Sequence, residues 1–358
     1  MRRSIGFHNR EKEMKEIRGI LDAKPTLITF IYGPINSGKT ELINRIVPEL
    51  PEEYMLFYIN LRGRFIKSYE EFLDVLFEID EERKIENVKE YAKAILKDLK
   101  NVGGIPIPIN LFEKMFERKE RSKDVFRYIE SFMVEISKKY IPVLILDELQ
   151  VIGDLKIDDL LLYKLFNFFI RLTKELHLCH VFAVSSDSLF IERVYSEAML
   201  QGRGRYLRVD DFDKEGTVDF LEKHGFSNDE KELAWEYCGG KPVCLIELIN
   251  AKDRAEKLDE LLQIRIGQIE GLIEDAREFG YKVYYGEEEI VLNEGHLLKG
   301  LEVFENEDYI KANALPKSVK IGLINANILF LDPVKRIIKP QSKLDLLAIR
   351  AVISQSKV

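Results

Sequence analysis

The chain has 358 residues, of which 46% are hydrophobic and 32% charged, with a formal net charge of -8. That length suits two or three folded units and the apolar content excludes a disordered chain, while no window approaches the roughly 20 apolar residues that span a bilayer. Cys179, Cys238 and Cys244 form no C-x-x-C pair or disulfide framework, and the first residues lack the apolar core of a signal peptide, so a soluble cytoplasmic protein is expected.

The apolar run Leu27–Tyr32 predicts a first strand, and it stops at Gly33-Pro34-Ile35-Asn36-Ser37-Gly38-Lys39-Thr40, a match to G-x-x-x-x-G-K-[ST]. A helix beginning near Ser37 and running through Glu41–Val47 comes next. Strand, loop and helix start aim backbone N–H groups and the positive end of a helix dipole at one point, which predicts a bound phosphate. The glycines let the backbone close around phosphate oxygens, Lys39 can neutralise β/γ charge, and Thr40 can offer its hydroxyl to Mg²⁺. Residues Gly33 to Glu41 together form the expected nucleotide cradle.

Pro48 and Pro51 mark a turn before a second strand, Tyr54–Asn60. Residues 69–100 have helical spacing, ended by Gly103-Gly-Ile-Pro-Ile-Pro108, where proline forbids regular helix. Arg121–Lys139 is expected to be helical, with Val125, Ile129, Phe132 and Ile136 on one face. Pro142–Asp147 reads as a buried third strand, residues 160–176 as an apolar helix, His180–Ser185 as a fourth strand and Arg205–Val209 as a fifth. Strands alternating with helices predict a parallel sheet covered on both faces.

The third strand ends in Asp147 and Glu148. Loops at the carboxyl ends of parallel strands converge, so Asp147 can approach the same Mg²⁺ as Thr40. Glu148 can polarise an attacking water. Ser186, after the fourth strand, is the candidate for holding that water, or an N-cap for a helix over Leu189–Met199, or both. Arg203 is the candidate for neutralising charge on the γ-phosphate, with an ordinary surface arginine as the alternative. His177-Leu-Cys179-His180 lacks companions for a tetrahedral metal set.

From Asp213 to about Glu278 the pattern is purely helical, broken at Gly239-Gly240-Lys241-Pro242. Beyond it, Glu287–Val291, helices near 294–304 and 316–325, and two strands around a turn at Asp332-Pro333 suggest a small α/β unit. Residues 311–358 carry nine Lys or Arg against Asp332 and Asp345, a local charge of +7 that leaves -15 on the rest of the -8 chain.

In order, these landmarks resemble the archaeal ATPase family of the STAND group (signal-transduction ATPases with numerous domains), within the AAA+ superfamily of P-loop NTPases. Phe7-His-Asn9-Arg10-Glu11-Lys-Glu13 resembles the family's F-x-x-R-E-x-E element, Leu200-Gln-Gly202-Arg203 its L-x-G-R element, and Gly240-Lys241-Pro242 the G-x-P turn of its helical lid. Ser185 and Gln201 depart from a usual glycine and aromatic. The resemblance implies an α/β P-loop NTPase with a parallel five-stranded core sheet at 1–212, a helical lid at 213–278 and a winged-helix-like domain at 279–358. It further implies ATP over GTP, with Arg10 and Pro242 beside the nucleotide, a protein partner and a nucleotide-dependent oligomer.

Three functions fit. One is an ATP-driven switch acting on a partner through the C-terminal unit. A second is a DNA-binding ATPase resembling origin-recognition proteins, using the helix near 316–325 and Lys335, Arg336 and Lys339; its counter-reading is a basic face docked on the protein's own acidic core. The third is an ATP-binding protein without turnover, against which Glu148 argues. A kinase fits less well, because no acceptor pocket is legible.

Overall fold

The computed structural model describes residues 6–8, 10–64, 66, 68–96, 103–117, 121–153, 161–197, 200–285 and 288–357. Asn9, the end of the 69–100 tract, Met199 and Glu287 lie outside them. The central sheet has five strands: β1 (Ile28–Tyr32), β2 (Tyr54–Asn60), β5 (Ile141–Asp147), β6 (His180–Ser185) and β7 (Gly204–Arg208). They pair in parallel in the order β2-β5-β6-β1-β7. Their runs of Ile, Val, Leu and Phe are what a sheet buried on both faces requires. Alternate residues feed two separate apolar clusters: Phe30, Phe57 and Leu144 on one side, Ile31, Leu56, Val143 and Phe182 on the other. The register aligns Asn60 with Asp147 and Ser185 with Tyr32, and Tyr32 with Arg208, so these strand ends lie along one carboxyl edge with the glycine loop.

The 69–100 tract is not one helix. Tyr69–Leu76 runs into β3 (Phe77–Asp80), which pairs in parallel with β4 (Ile105–Pro108), and a second helix spans Val88–Ile95. Local polar groups set these limits: Ser68 Oγ accepts from Glu71 N, Asp80 accepts from the backbone of Glu82 and Arg83, and Asn87 caps the later helix. Pro106 and Pro108 confine β4 to a small two-stranded pairing. The helix Arg121–Ile136 buries Val125, Ile129, Phe132 and Ile136 as expected.

Residues 214–278 form four helices, Lys214–Glu222, Asn228–Cys238, Pro242–Asn250 and Arg254–Glu278. The long last helix gives Leu258 to the apolar cluster of the first three, and Ile266, Ile269 and Ile273 to that of the C-terminal unit. That unit holds a hairpin of β8 (Tyr281–Tyr285) and β9 (Glu288–Leu292), helices Glu294–Glu302 and Lys317–Asn325, and a sheet of β10 (Ile310–Lys311), β11 (Leu329–Asp332) and β12 (Ile337–Pro340). A closing helix, Lys343–Ser356, was not anticipated; Ser342 caps it, and Leu346, Ile349 and Ile353 join the unit's core.

Candidate functional site

At the end of β1 the chain must turn hard against Val209. A Cβ on Gly33 would lie 1.9 Å from the Val209 carbonyl oxygen, so only glycine fits. Asn36 (φ 58) and Gly38 (φ 88) take the left-handed backbone that closes the loop. Ser37 Oγ donates to Val209 O (2.8 Å), and Arg10 Nη2 donates to Ser37 O (2.5 Å). Arg10 is buried with its guanidinium 4.8 Å from the Phe212 ring centroid. It therefore braces the loop's own backbone.

Lys39 is 5% exposed, and its ammonium donates to the carbonyls of Gly33 (3.1 Å) and Pro34 (2.8 Å). Burial, then the nearby Lys241 ammonium, pull its pKa down to about 7 against the opposing carboxylates of Glu148, Asp147 and Asp211. A buried cation so placed favours an incoming anion. Lys241 Nζ donates to Ile35 O (3.0 Å) and pairs with Asp211 at 3.0 Å.

Thr40 Oγ1 lies 3.0 Å from Asp147 Oδ2, which also accepts from Tyr58 OH (2.8 Å). Asp147 is 1% exposed. These hard oxygen donors suit Mg²⁺. Glu148 comes next with φ 61, a conformation rare for a side chain of its size. One of its carboxylate oxygens accepts from Arg62 Nε (3.1 Å) and Nη2, the other from Gln150 Nε2. Ser185 Oγ donates to Gln150 Oε1 (2.8 Å), extending the chain to β6.

Two expectations need correction. The helix Ser188–Ser196 is capped by Asp187, which accepts from Leu189 N (2.8 Å) and Phe190 N (3.1 Å), so Ser186 is not its cap; Ser186 lines a cleft beside the phosphate loop, and Ser185 makes the bond toward Gln150 and Glu148. Arg203 sits at the wrong end of the sheet: its carbonyl accepts from Ile28 N (3.0 Å), where β1 begins. Five residues at about 3.3 Å each put it roughly 16 Å from the phosphate loop, beyond one side chain's reach within the same chain. A guanidinium placed directly before a parallel strand necessarily falls on the amino edge.

Beside the loop runs a cleft of about 490 Å³, within the range of nucleotide-sized sites. Phe7, Phe212, Phe220, Pro242, Val243 and Ile246 line its apolar side, and Glu41 and Thr40 its polar side. Val243 and Ile246 are 40% and 36% exposed, apolar surface suited to a flat base. The residues missed from sequence are Tyr58, Arg62, Gln150, Lys241 and Gln341, whose Oε1 accepts from Ile35 N of the loop (3.1 Å). Lys241 lay inside a recognised turn and Gln150 two residues beyond Glu148; Arg62 and Gln341 carry no local signal.

A parallel sheet with the glycine loop after β1, the acidic pair at the end of β5 and one strand between them is the architecture of a P-loop nucleotide-binding fold. Comparison with known proteins agrees: residues 7–248 match the ATPase domain found predominantly in Archaea, and 255–353 match the C-terminal domain of MJ1010-like ATP-binding proteins. An ATP-binding protein of Pyrococcus abyssi is 44% identical over 97% of this chain and 98% of its own. One from Methanocaldococcus jannaschii is 46% identical over 97% and 99%. The solved Walker-type ATPase of Pyrococcus abyssi shares the fold with a TM-score of 0.62 over 96% of each chain, at 17% identity. The chain belongs to this archaeal ATPase family.

Proposed function

We propose that this chain binds ATP with Mg²⁺, hydrolyses it, and acts as a nucleotide-driven switch whose C-terminal unit engages a protein partner. The observation that carries this reading is the Thr40 hydroxyl held 3.0 Å from the buried Asp147 carboxylate beside the phosphate loop. Mg²⁺, when bound there by Thr40 and Asp147, supplies neutralisation of phosphate charge. Lys39 and the loop N–H groups hold the phosphates, Gly33 to Glu41 forming the cradle, while Pro242 and its apolar neighbours take the base. Glu148 serves as the base that takes a proton from the attacking water once Arg62 releases it, and the Ser185–Gln150 chain aims its other oxygen. Ser186 faces the same cleft and is retained as a water-holding candidate. Arg203, from its place on the far edge, can serve only a neighbouring copy's nucleotide.

The switch is supported by how the C-terminal unit meets the carboxyl edge. Asp332 accepts from Tyr32 OH (3.1 Å) and Arg208 Nη1 (2.6 Å), Lys339 pairs with Asp210 (2.9 Å) and Lys320 with Glu192 (2.8 Å). Nucleotide that binds one arrangement of core, lid and C-terminal unit better than another shifts their populations. The DNA reading is weakened, though not along its whole face: Lys339 and Lys320 pair with carboxylates of this chain and residues 319–324 of the supposed contact helix are buried, whereas Lys335 and Arg336 of the turn between β11 and β12 are exposed. Titration of ATP with and without Mg²⁺ tests the reading; unaltered binding by Lys39→Ala would remove the cradle assignment. Salt-sensitive binding to duplex DNA would restore the alternative.

A further inference from the structure

The peptide groups of Ile35, at the apex of the phosphate loop, are gripped from two sides. Its carbonyl accepts from Lys241 Nζ at 3.0 Å, from the turn that opens the helix Pro242–Asn250. Its N–H donates to Gln341 Oε1 at 3.1 Å, and Gln341 sits directly after β12 of the C-terminal unit. Gln341 is 4% exposed and fixed by two further bonds: its side-chain Nε2 donates to Leu329 O (3.0 Å), and its backbone N donates to Ile328 O (2.9 Å). These partners settle the orientation of the amide, since a flip would set N–H against N–H at Ile35 and oxygen against oxygen at Leu329. The side chain also lines a cleft of about 220 Å³ shared with Arg62, Glu148 and Ser186.

We propose that Gln341 is a positioning residue of the phosphate loop, a side chain through which the C-terminal unit and bound triphosphate act on one another. The inference rests on the nucleotide reading above. Gln341 holds the Ile35 peptide in the arrangement in which the loop's carbonyls support Lys39, so the loop is ordered before nucleotide arrives. Because coupling between sites is reciprocal, a triphosphate that tightens the loop must also tighten Gln341, and with it β11 and β12.

The test uses the full chain, a non-hydrolysable ATP analogue with Mg²⁺, and Gln341→Met, which keeps length and removes the amide. Losing a bond to a buried N–H predicts an analogue affinity about tenfold weaker than wild type. In wild type the analogue should slow amide hydrogen exchange across 328–341, and in Gln341→Met this slowing should vanish. A merely structural role would lower stability while leaving both affinity and nucleotide-dependent exchange unchanged, and that result overturns the proposal. If Gln341→Met does not fold, Gln341→Asn, one methylene too short to reach Ile35, carries the same two measurements. Wild type that binds no nucleotide would remove the functional reading itself, an outcome distinct from a binding wild type with an indifferent variant.

Discussion

Replacing Gly33 with alanine should damage stability and nucleotide binding together. The new Cβ would stand 1.9 Å from Val209 O, against a normal C···O approach of about 3.3 Å, an overlap of roughly 1.4 Å. No rotamer can relieve it, because the obstructing atom is backbone. Val209 O is also held by Ser37 Oγ at 2.8 Å, and Val209 N by Tyr32 O at 2.7 Å. Separating the segments would strain or break both bonds, each worth about 1 kcal/mol, and add an overpacking cost of about 1–3 kcal/mol. The expected total is about 3–5 kcal/mol in urea unfolding, with at least tenfold weaker ATP binding by titration. Gly19→Ala, in the helix Glu11–Leu21 with nothing within 4 Å of its added Cβ, is the matched control and should be neutral or slightly stabilising. A Gly33→Ala protein within about 0.5 kcal/mol of wild type and with unchanged ATP affinity would refute the argument.

Asp332→Ala removes a carboxylate, 1% exposed, to which Tyr32 and Arg208 both donate; Arg208 keeps Asp210, so the loss should be about 1–3 kcal/mol by chemical unfolding, and a negligible loss would mean that the contact is not buried in solution. Arg203→Ala should leave ATP affinity unchanged in dilute protein, and a tenfold loss there would contradict the register of β1 and β7. Burial lowers the His180 pKa from 6.5 to about 4. Because the unfolded chain takes up the proton first, stability is complete above pH 6.5 and declines toward pH 4, by about 3 kcal/mol in all. His180→Gln should flatten that part of the profile, and an identical acid limb in both proteins would count against the assignment.

The placement of the glycine loop, Asp147 and Glu148 together was legible because each lies in a few contiguous residues at the carboxyl end of a strand. The strands of the central sheet were legible for a related reason, since runs such as Val143–Leu146 are too short and too apolar for an exposed helix. β3 was missed because Phe77–Asp80 continues a helical spacing and becomes strand only by pairing with Ile105–Pro108, across an intervening helix. The closing helix had a readable signal, Ser342 three residues before Asp345 ahead of Leu346, Ile349 and Ile353, masked by the basic charge of the segment around it. Arg62 and Gln341 had none. Arg62 meets Glu148 from 86 positions away and Gln341 meets Ile35 from 306, so only the folded chain reveals them. Arg203 shows the opposite failing: strand direction alone would have placed it away from its own phosphate loop.

Steady-state phosphate release at saturating ATP tests the central claim most directly. Wild type with Mg²⁺ should release phosphate, chelation of the metal should stop it, and Glu148→Gln should slow it by about 100-fold or more while still binding ATP. Release by wild type at the same rate as Glu148→Gln would contradict the account.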